Sequence, residues 1–197
     1  PPPPPPPLFF HPPPPPPPIL SGLVGLGDVY KRQVTDSTDR RRINRMFRND
    51  GSNSYADEAP AAGLNDGEQS WCADFADIDN DGDMDCFILN HGSGTSKLLE
   101  NNGSGEFTDI SASAGLGGIN YFGIQALFRD FDNDAFVDLL VTATNLGGSA
   151  ATYRLYRNNG NKSFSRVPNV LRVSGGSPVS HLHSCAVGDF NLSLIHI

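Results

Sequence analysis

The chain has 197 residues, a formal net charge of −8 at pH 7 and 38% hydrophobic residues, which is an ordinary fraction for a domain with a packed core. The excess of acidic groups argues against binding to the phosphate backbone of a nucleic acid. No stretch approaches the ~18–20 apolar residues that a membrane span requires.

The two ends of the chain are predicted to be translated sequencing artefacts. Residues 28–33 read Asp-Val-Tyr-Lys-Arg-Gln, and residues 192–197 read Leu-Ser-Leu-Ile-His-Ile. One set of codons for the first hexapeptide has a reverse complement that encodes the second, as expected for one library adapter at both ends of a DNA fragment. We therefore expect residues 1–33, with their proline runs, to be a disordered artefact and residues 192–197 to be a second artefact. A polyproline II linker and a secretory signal are the alternatives for the first segment.

Two sequence markers repeat with a shared period between residues 34 and 191. The first is an Asn-Asn-Gly or Asn-Asp-Gly turn with an aromatic residue four positions later; its glycines are Gly51, Gly103 and Gly160. The second is an acidic run, which begins at Asp77, Asp130 and Asp189. Because both markers recur at intervals of roughly 50–60 residues, the sequence indicates structural repeats.

Each complete repeat divides into four short apolar segments typical of strands. In the first repeat they cover residues 70–75, 84–89, 97–100 and 106–110, and in the second 124–128, 137–142, 153–157 and 163–167. Four antiparallel strands in about 50 residues is the size of a propeller blade. The sequence predicts an all-β, partial β-propeller, made of the end of one blade (34–65), two blades (66–117 and 118–175) and the start of another (176–191).

An acidic loop joins the first and second predicted strands of each blade. In the first copy, carboxylates alternate along the loop: Asp77, Asp79, Asp81, Asp83 and Asp85. Side chains at alternating positions of a tight loop can converge, and an all-oxygen cage suits Ca²⁺. Without a cation the converging carboxylates would repel one another. The sequence therefore predicts a calcium site between the first two strands of the blade.

The second acidic loop keeps four carboxylates, at Asp130, Asp132, Asp134 and Asp138, but has Ala135 where the first has Gly82. If this position needs a positive φ, alanine costs about 1 kcal/mol in strain. An EF-hand would carry a bidentate Glu at loop position 12. That position is Ile88 or Val141, inside a predicted strand, which favours a β-hairpin calcium loop.

The acidic loop and the Asn-Asn-Gly element together resemble the FG-GAP/VCBS repeats of integrin α-subunit propellers and of many secreted bacterial proteins. The resemblance covers nearly all of residues 34–191 and implies Ca²⁺ ligands at loop positions 1, 3, 5 and 9, with a backbone carbonyl from position 7. In the first loop these are Asp77, Asp79, Asp81 and Asp85, with the carbonyl of Asp83. In the second they are Asp130, Asp132, Asp134 and Asp138, with the carbonyl of Phe136. Asp189 and Asn191 would begin a third site.

Two further groups of residues leave alternatives open. Cys72 and Cys86 flank the first loop and either pair across adjacent strands or remain buried thiols. Trp71 and Tyr121 lie at or just before the start of the first strand of a blade and serve either a ligand surface or packing between blades.

The resemblance implies a non-enzymatic, calcium-stabilised module for binding or adhesion, located extracellularly, at the cell surface or in the periplasm. Its expected partner is an extracellular protein or carbohydrate. The sequence contains no Gly-rich phosphate loop, nucleophile elbow or zinc-protease motif. The alternatives are the propeller part of a secreted carbohydrate-active enzyme and a structural accessory domain of a larger secreted protein.

Overall fold

The computed structural model describes residues 23–24, 44–49, 52, 54–91, 94–120, 122–144, 151–168 and 185–187. These residues form eleven β-strands in three antiparallel sheets. No helix occurs in the described part of the chain, and hence none that is long and apolar enough to cross a membrane.

The first sheet has three short strands in the order β1 (Leu23–Val24), β2 (Met46–Asn49) and β3 (Tyr55–Asp57). Strand β1 comes from the segment predicted to be disordered: Leu23 pairs with Phe47 and Val24 with Met46. Two apolar residues with strand propensity thus complete the backbone hydrogen bonds of the outer edge of β2. The rest of residues 1–33 and the end at 192–197 lie outside the described residues.

The other two sheets are four-stranded antiparallel meanders, which confirms the predicted blades and the partial β-propeller. The first blade consists of β4 (Ser70–Ala76), β5 (Asp85–Asn90), β6 (Lys97–Asn101) and β7 (Phe107–Asp109). The second consists of β8 (Phe122–Arg129), β9 (Asp138–Thr144), β10 (Ala151–Asn158) and β11 (Phe164–Val167).

Apolar residues fill the space between successive sheets. All six residues of β5 are buried, because this strand has sheets on both of its faces. Between the two blades, Phe87 meets Phe128 edge-on, with ring centroids 6.4 Å apart. A second cluster, which includes Met46, Ile88 and Leu99, lies between the first sheet and the first blade. The hydrophobic core is therefore shared between neighbouring sheets rather than enclosed within any one of them.

Each first strand has a side chain that bonds to the backbone of a later segment: Cys72 to β8 of the second blade, and Gln125 to the segment at 185–187. A β-bulge occurs at the start of both β4 and β8, and Cys72 and Gln125 follow it at equivalent positions. The Cys72 thiol accepts a hydrogen bond from Ala126 N (3.4 Å) and donates one to Ala126 O (3.6 Å). Gln125 repeats this with Cys185, accepting from its N (2.8 Å) and donating to its O (3.0 Å).

The cysteines of the chain are free thiols. Cys86 pairs in register with Phe75, and Cys72 with Leu89, so the two thiols that flank the first acidic loop are not opposite each other. Complete burial raises the pKa of the Cys86 thiol well above its ordinary value. The question left open by the sequence is thus settled in favour of thiols.

A repeated Ala-Gly-Leu turn follows the last strand of the first sheet and of the first blade, at residues 62–64 and 114–116, and was not identified from the sequence. Ala62 O accepts a hydrogen bond from Phe107 N (2.9 Å), and Ala114 O accepts one from Phe164 N (2.8 Å). The glycine has a positive φ in both copies and lies so close to the next blade that a Cβ would approach a backbone carbonyl oxygen to 2.9 Å. The turn therefore fastens the first sheet to the fourth strand of the first blade, and the first blade to the fourth strand of the second.

Candidate metal centre

Two acidic loops, residues 77–84 and 130–137, connect the first and second strands of the two blades and lie side by side. The Asn80 side chain donates a hydrogen bond to Ala135 O (3.1 Å), so the loops are in direct contact. Among the described residues, two groups of three or more side chains could hold a metal ion, and each of these loops contributes to one of them.

Carboxylates at loop positions 1, 3 and 9 converge in both copies. One oxygen from each of Asp77, Asp79 and Asp85 lies within 4.8 Å of the others, and the same holds for Asp130, Asp132 and Asp138. These six residues all belong to the predicted site. The position-5 carboxylates, Asp81 and Asp134, are not members of these groups, and the predicted third site at Asp189 and Asn191 lies outside the described residues.

The position-9 aspartate begins the second strand and is buried in both blades, at 2% exposure. Asp85 accepts hydrogen bonds from Ile78 N (3.1 Å) and Asn101 N (2.8 Å). Asp138 accepts the equivalent bonds from Phe131 N (3.1 Å) and Asn158 N (2.8 Å). Burial raises the pKa of Asp85 to about 6, although the backbone donors oppose this shift. Burial likewise raises the pKa of Asp138.

The position-1 aspartate folds the loop around its own carboxylate. Asp77 accepts hydrogen bonds from Asp81 N (3.1 Å) and Gly82 N (2.9 Å). Asp130 accepts them from Asn133 N (2.7 Å) and Ala135 N (3.0 Å). Backbone donors that point at one carboxylate hold it in place.

Two residues in each loop have left-handed backbone conformations. Position 4 is Asn in both copies, with φ of 61° at Asn80 and 59° at Asn133, which suits an asparagine. Position 6 has φ of 93° at Gly82 and 72° at Ala135. Ala135 therefore has the positive φ on which the predicted strain depends.

The first asparagine of each Asn-Asn-Gly marker braces the acidic loop of its own blade. Asn101 donates to Met84 O (3.2 Å), and Asn158 donates to Val137 O (3.1 Å). Asn158 also donates to Ile78 O (2.7 Å) in the loop of the preceding blade. The Asn-Asn-Gly turn and the acidic run share a period because the two elements are in contact within each blade. Asn158 also joins the acidic loops of the two blades.

Two basic side chains that the sequence reasoning missed bind the loop carboxylates. Arg157 forms ion pairs with Asp132 (2.5 Å) and Asp134 (3.0 Å) of its own blade. Lys162, in the turn between β10 and β11, forms ion pairs with Asp79 (2.5 Å) and Glu100 (2.5 Å) of the preceding blade. Arg157 lies directly before the Asn-Asn-Gly marker, and this position could have indicated its contact with the acidic loop. No sequence pattern indicates the contact of Lys162 with the other blade.

These ion pairs change the acidity of the loop. Burial opposes ionisation of Asp79, but hydrogen bonds from Lys162 and Asp81 outweigh it, and its pKa is lowered. The pKa of Asp134 is lowered by the hydrogen bond from Phe136 N and by Arg157. The hydrogen bond to Asp79 raises the pKa of the Lys162 ammonium. The lowered pKa values favour the charged forms of Asp79 and Asp134, whereas burial favours protonation of Asp85 and Asp138 at position 9.

The end of the blades away from the acidic loops carries an aromatic stack. The Trp71 indole lies parallel to the His91 ring, with centroids 4.1 Å apart, and His91 meets the ring of Phe122 at 4.7 Å. The His91 Nδ1 atom is 2.9 Å from Gly123 O. Trp71 therefore stacks on a histidine of its own blade that in turn contacts the second blade, while Tyr121 lies outside the described residues.

Comparison with known protein families agrees with this repeat geometry. The sequence model of a family described as FG-GAP-like repeat matches residues 25–88, 80–141 and 130–192, which together make up most of the chain. The second and third matched ranges each reach from one acidic run to the next. No curated protein matches the chain.

Proposed function

Because this chain belongs to the FG-GAP-like repeat family, we propose that it is a calcium-binding β-propeller module for extracellular binding or adhesion, in which Ca²⁺ has a structural role. The observation that carries this proposal is the convergence of three carboxylates in each of two neighbouring loops. The same positions converge in both blades even though the loops differ at position 6.

The donor chemistry of the loops fits Ca²⁺. The converging ligands are carboxylate oxygens, with no sulfur or imidazole among them, and such hard donors suit Ca²⁺ rather than Zn²⁺ or Cu²⁺. The residues proposed to hold the ion are Asp77, Asp79 and Asp85 in one loop, and Asp130, Asp132 and Asp138 in the other. The family resemblance adds the side chains of Asp81 and Asp134, and the carbonyls of Asp83 and Phe136, to complete each shell.

The proposed role of the ion is to stabilise the turn between the first two strands of a blade. When bound, Ca²⁺ supplies positive charge to carboxylates that otherwise repel one another. The position-9 carboxylate also braces the start of the second strand and the end of the third. Holding this carboxylate in its charged form would therefore stabilise the blade as well as the loop.

The proposed location is outside the cell or in the periplasm, where calcium is abundant. Extracellular modules bind Ca²⁺ with Kd values of about 10⁻⁴–10⁻³ M. The partner is proposed to be an extracellular protein or carbohydrate that binds the surface formed by the stiffened loops. The role is proposed to be non-catalytic, because both three-carboxylate groups found in the described residues belong to the acidic loops.

Calorimetric titration of Ca²⁺ into the chain after treatment with EDTA, with parallel melting curves, tests the proposal. We expect saturable binding and a higher Tm with calcium, since a ligand at 100 times its Kd stabilises the folded state by about 2.7 kcal/mol. The variant Asp79→Ala/Asp132→Ala removes one converging carboxylate from each loop and should lose both effects.

A matched control variant, Glu58→Ala/Glu106→Ala, removes two acidic side chains outside the loops and should bind calcium as the parent does. Both glutamates belong to the described residues and neither belongs to a converging group. If the parent chain shows native circular dichroism but does not bind calcium, the proposal is wrong. Equal loss of binding in both double variants would also contradict it, because the effect would then depend on net charge alone.

A further inference from the structure

Lys162 brings a positive charge from the second blade to the acidic loop of the first. Its ammonium lies 2.5 Å from Asp79 Oδ2 and 2.5 Å from Glu100 Oε1. Asp79 belongs to the converging carboxylate group, whereas Glu100 lies on β6, outside it. Lys162 thus pairs with a proposed calcium ligand and with a second acidic residue. If Asp79 bound a calcium ion instead, Glu100 would remain as the partner of Lys162.

The backbone at Lys162 is unusual for a residue with a side chain. Its φ is 63°, in the left-handed region. Gly160 corresponds to Gly103 in the preceding blade, so Lys162 corresponds to Gly105, which has φ of 87°. A residue with a Cβ is strained in the left-handed region, whereas glycine is not. Glycine occupies this position in the preceding blade and would avoid the strain. The presence of lysine instead indicates that its side chain has a functional role.

From this geometry we propose that Lys162 is a tethered cation that competes with Ca²⁺ for Asp79, and so links calcium binding by the loop at 77–85 to the contact between the two blades. The inference rests on the proposed function, since it needs that loop to bind calcium. An ion held by Asp79 shares this carboxylate with the ammonium, and the two positive charges repel each other. Lys162 therefore lowers the calcium affinity of this loop.

The link between calcium binding and the contact between the blades is specific to the loop of the first blade. In the second loop, the carboxylates at positions 3 and 5 pair with Arg157, which belongs to the same blade. Other contacts between the blades, such as the hydrogen bond from Asn158 to Ile78 O, do not involve the Asp79 carboxylate. Calcium binding at the first loop is thus expected to weaken one contact between the blades and leave the others in place.

Calcium titration of full-length chains that carry Asp132→Ala, which disables the second loop, tests the inference. Relative to this parent, adding Lys162→Met or Lys162→Gly should lower the Kd about three- to fivefold, the upper range for an exposed ion pair. Lys162→Gly also relieves the left-handed backbone strain, so it provides a folded variant if Lys162→Met destabilises the chain. Lys162→Arg keeps the charge and should leave the Kd within about twofold of the parent.

Lys97→Met is the matched control, since it removes a lysine from β6 at the strand end away from the loop. We expect it to leave the Kd unchanged. Equal tightening by Lys97→Met and Lys162→Met would overturn the inference, because net charge would explain both results. An unchanged Kd in Lys162→Met and Lys162→Gly would also overturn it, while the calcium proposal would stand. A folded parent that binds no calcium overturns the inference and the calcium proposal together.

Discussion

The left-handed residues of the two acidic loops show how closely the copies follow one backbone path. Position 4 is asparagine in both loops, and position 6 is Gly82 in one and Ala135 in the other, all with positive φ. Position 6 needs this conformation because its N–H turns back to the position-1 carboxylate. The alanine in the second loop is therefore strained by the geometry that makes the loop.

Ala135→Gly is expected to raise the free energy of unfolding by about 0.5–1 kcal/mol, because the strain relieved at positive φ exceeds the entropy that glycine adds to the unfolded chain. The reverse change, Gly82→Ala, should lower it by a similar amount. A Cβ at Gly82 would have no heavy atom within 4 Å, so its effect would come from the backbone alone. Urea unfolding of both variants checks the pair, and destabilisation by Ala135→Gly would contradict the explanation.

Much of the candidate site could be predicted at the residue scale from the alternation of aspartates. Positions 1, 3 and 9 of each loop converge, whereas position 5 belongs to neither group. Comparison of the two copies raised the question of a positive φ at position 6, and Ala135 has one. Lys162 could not be predicted in this way. Its contact with Asp79 depends on how the second blade is placed beside the first, and sequence spacing carries no information on that distance.

At the scale of elements, the ends of the third strands hold the acidic loops in place. Asn101 and Asn158 end β6 and β10 and bind the loop of their own blade, but Asn158 alone also reaches Ile78 O across the blade boundary. Asn158 is fully buried. Its removal would therefore leave carbonyl groups in two loops without a donor.

Asn158→Ala is expected to lower the free energy of unfolding by about 2–4 kcal/mol, because the buried carbonyl oxygen of Ile78 and the partly buried one of Val137 lose their hydrogen bonds. The adjacent Asn159 is exposed and bonds to Ser163 and Ser165 within its own turn. Asn159→Ala should change stability by no more than about 0.5 kcal/mol. Denaturant unfolding of the two variants measures the difference, and equal effects would refute the bracing role of Asn158.

The strands of both blades were predicted to within a few residues because each is a short apolar segment bounded by turn residues. The first strands extend further than predicted: β8 begins at Phe122 rather than at residue 124, across a β-bulge that interrupts the alternation of faces. The Ala-Gly-Leu turn was missed, although Ala62 and Ala114 are separated by the same period as the other markers. Its lack of charge made it less conspicuous than the acidic loops.

At the scale of the whole molecule, the clusters of buried side chains bridge neighbouring sheets. One cluster joins the first sheet to the first blade, and the largest joins the two blades. A third covers the far face of the second blade, where Leu140 and Leu155 pack with Cys185. In such an array stability depends on interfaces between neighbours as much as on each blade.

Phe87→Ala tests whether the two blades unfold together. Phe87 lies on β5 with no exposed surface and packs against Phe128 of the second blade. Its truncation should lower the free energy of unfolding by about 3–5 kcal/mol, and hydrogen exchange should show that amides in both blades lose protection. The exposed Tyr55→Ala serves as the control, with an expected change within about 0.5 kcal/mol. Loss of protection confined to the first blade would show that each blade unfolds separately, and that the shared core does not couple them.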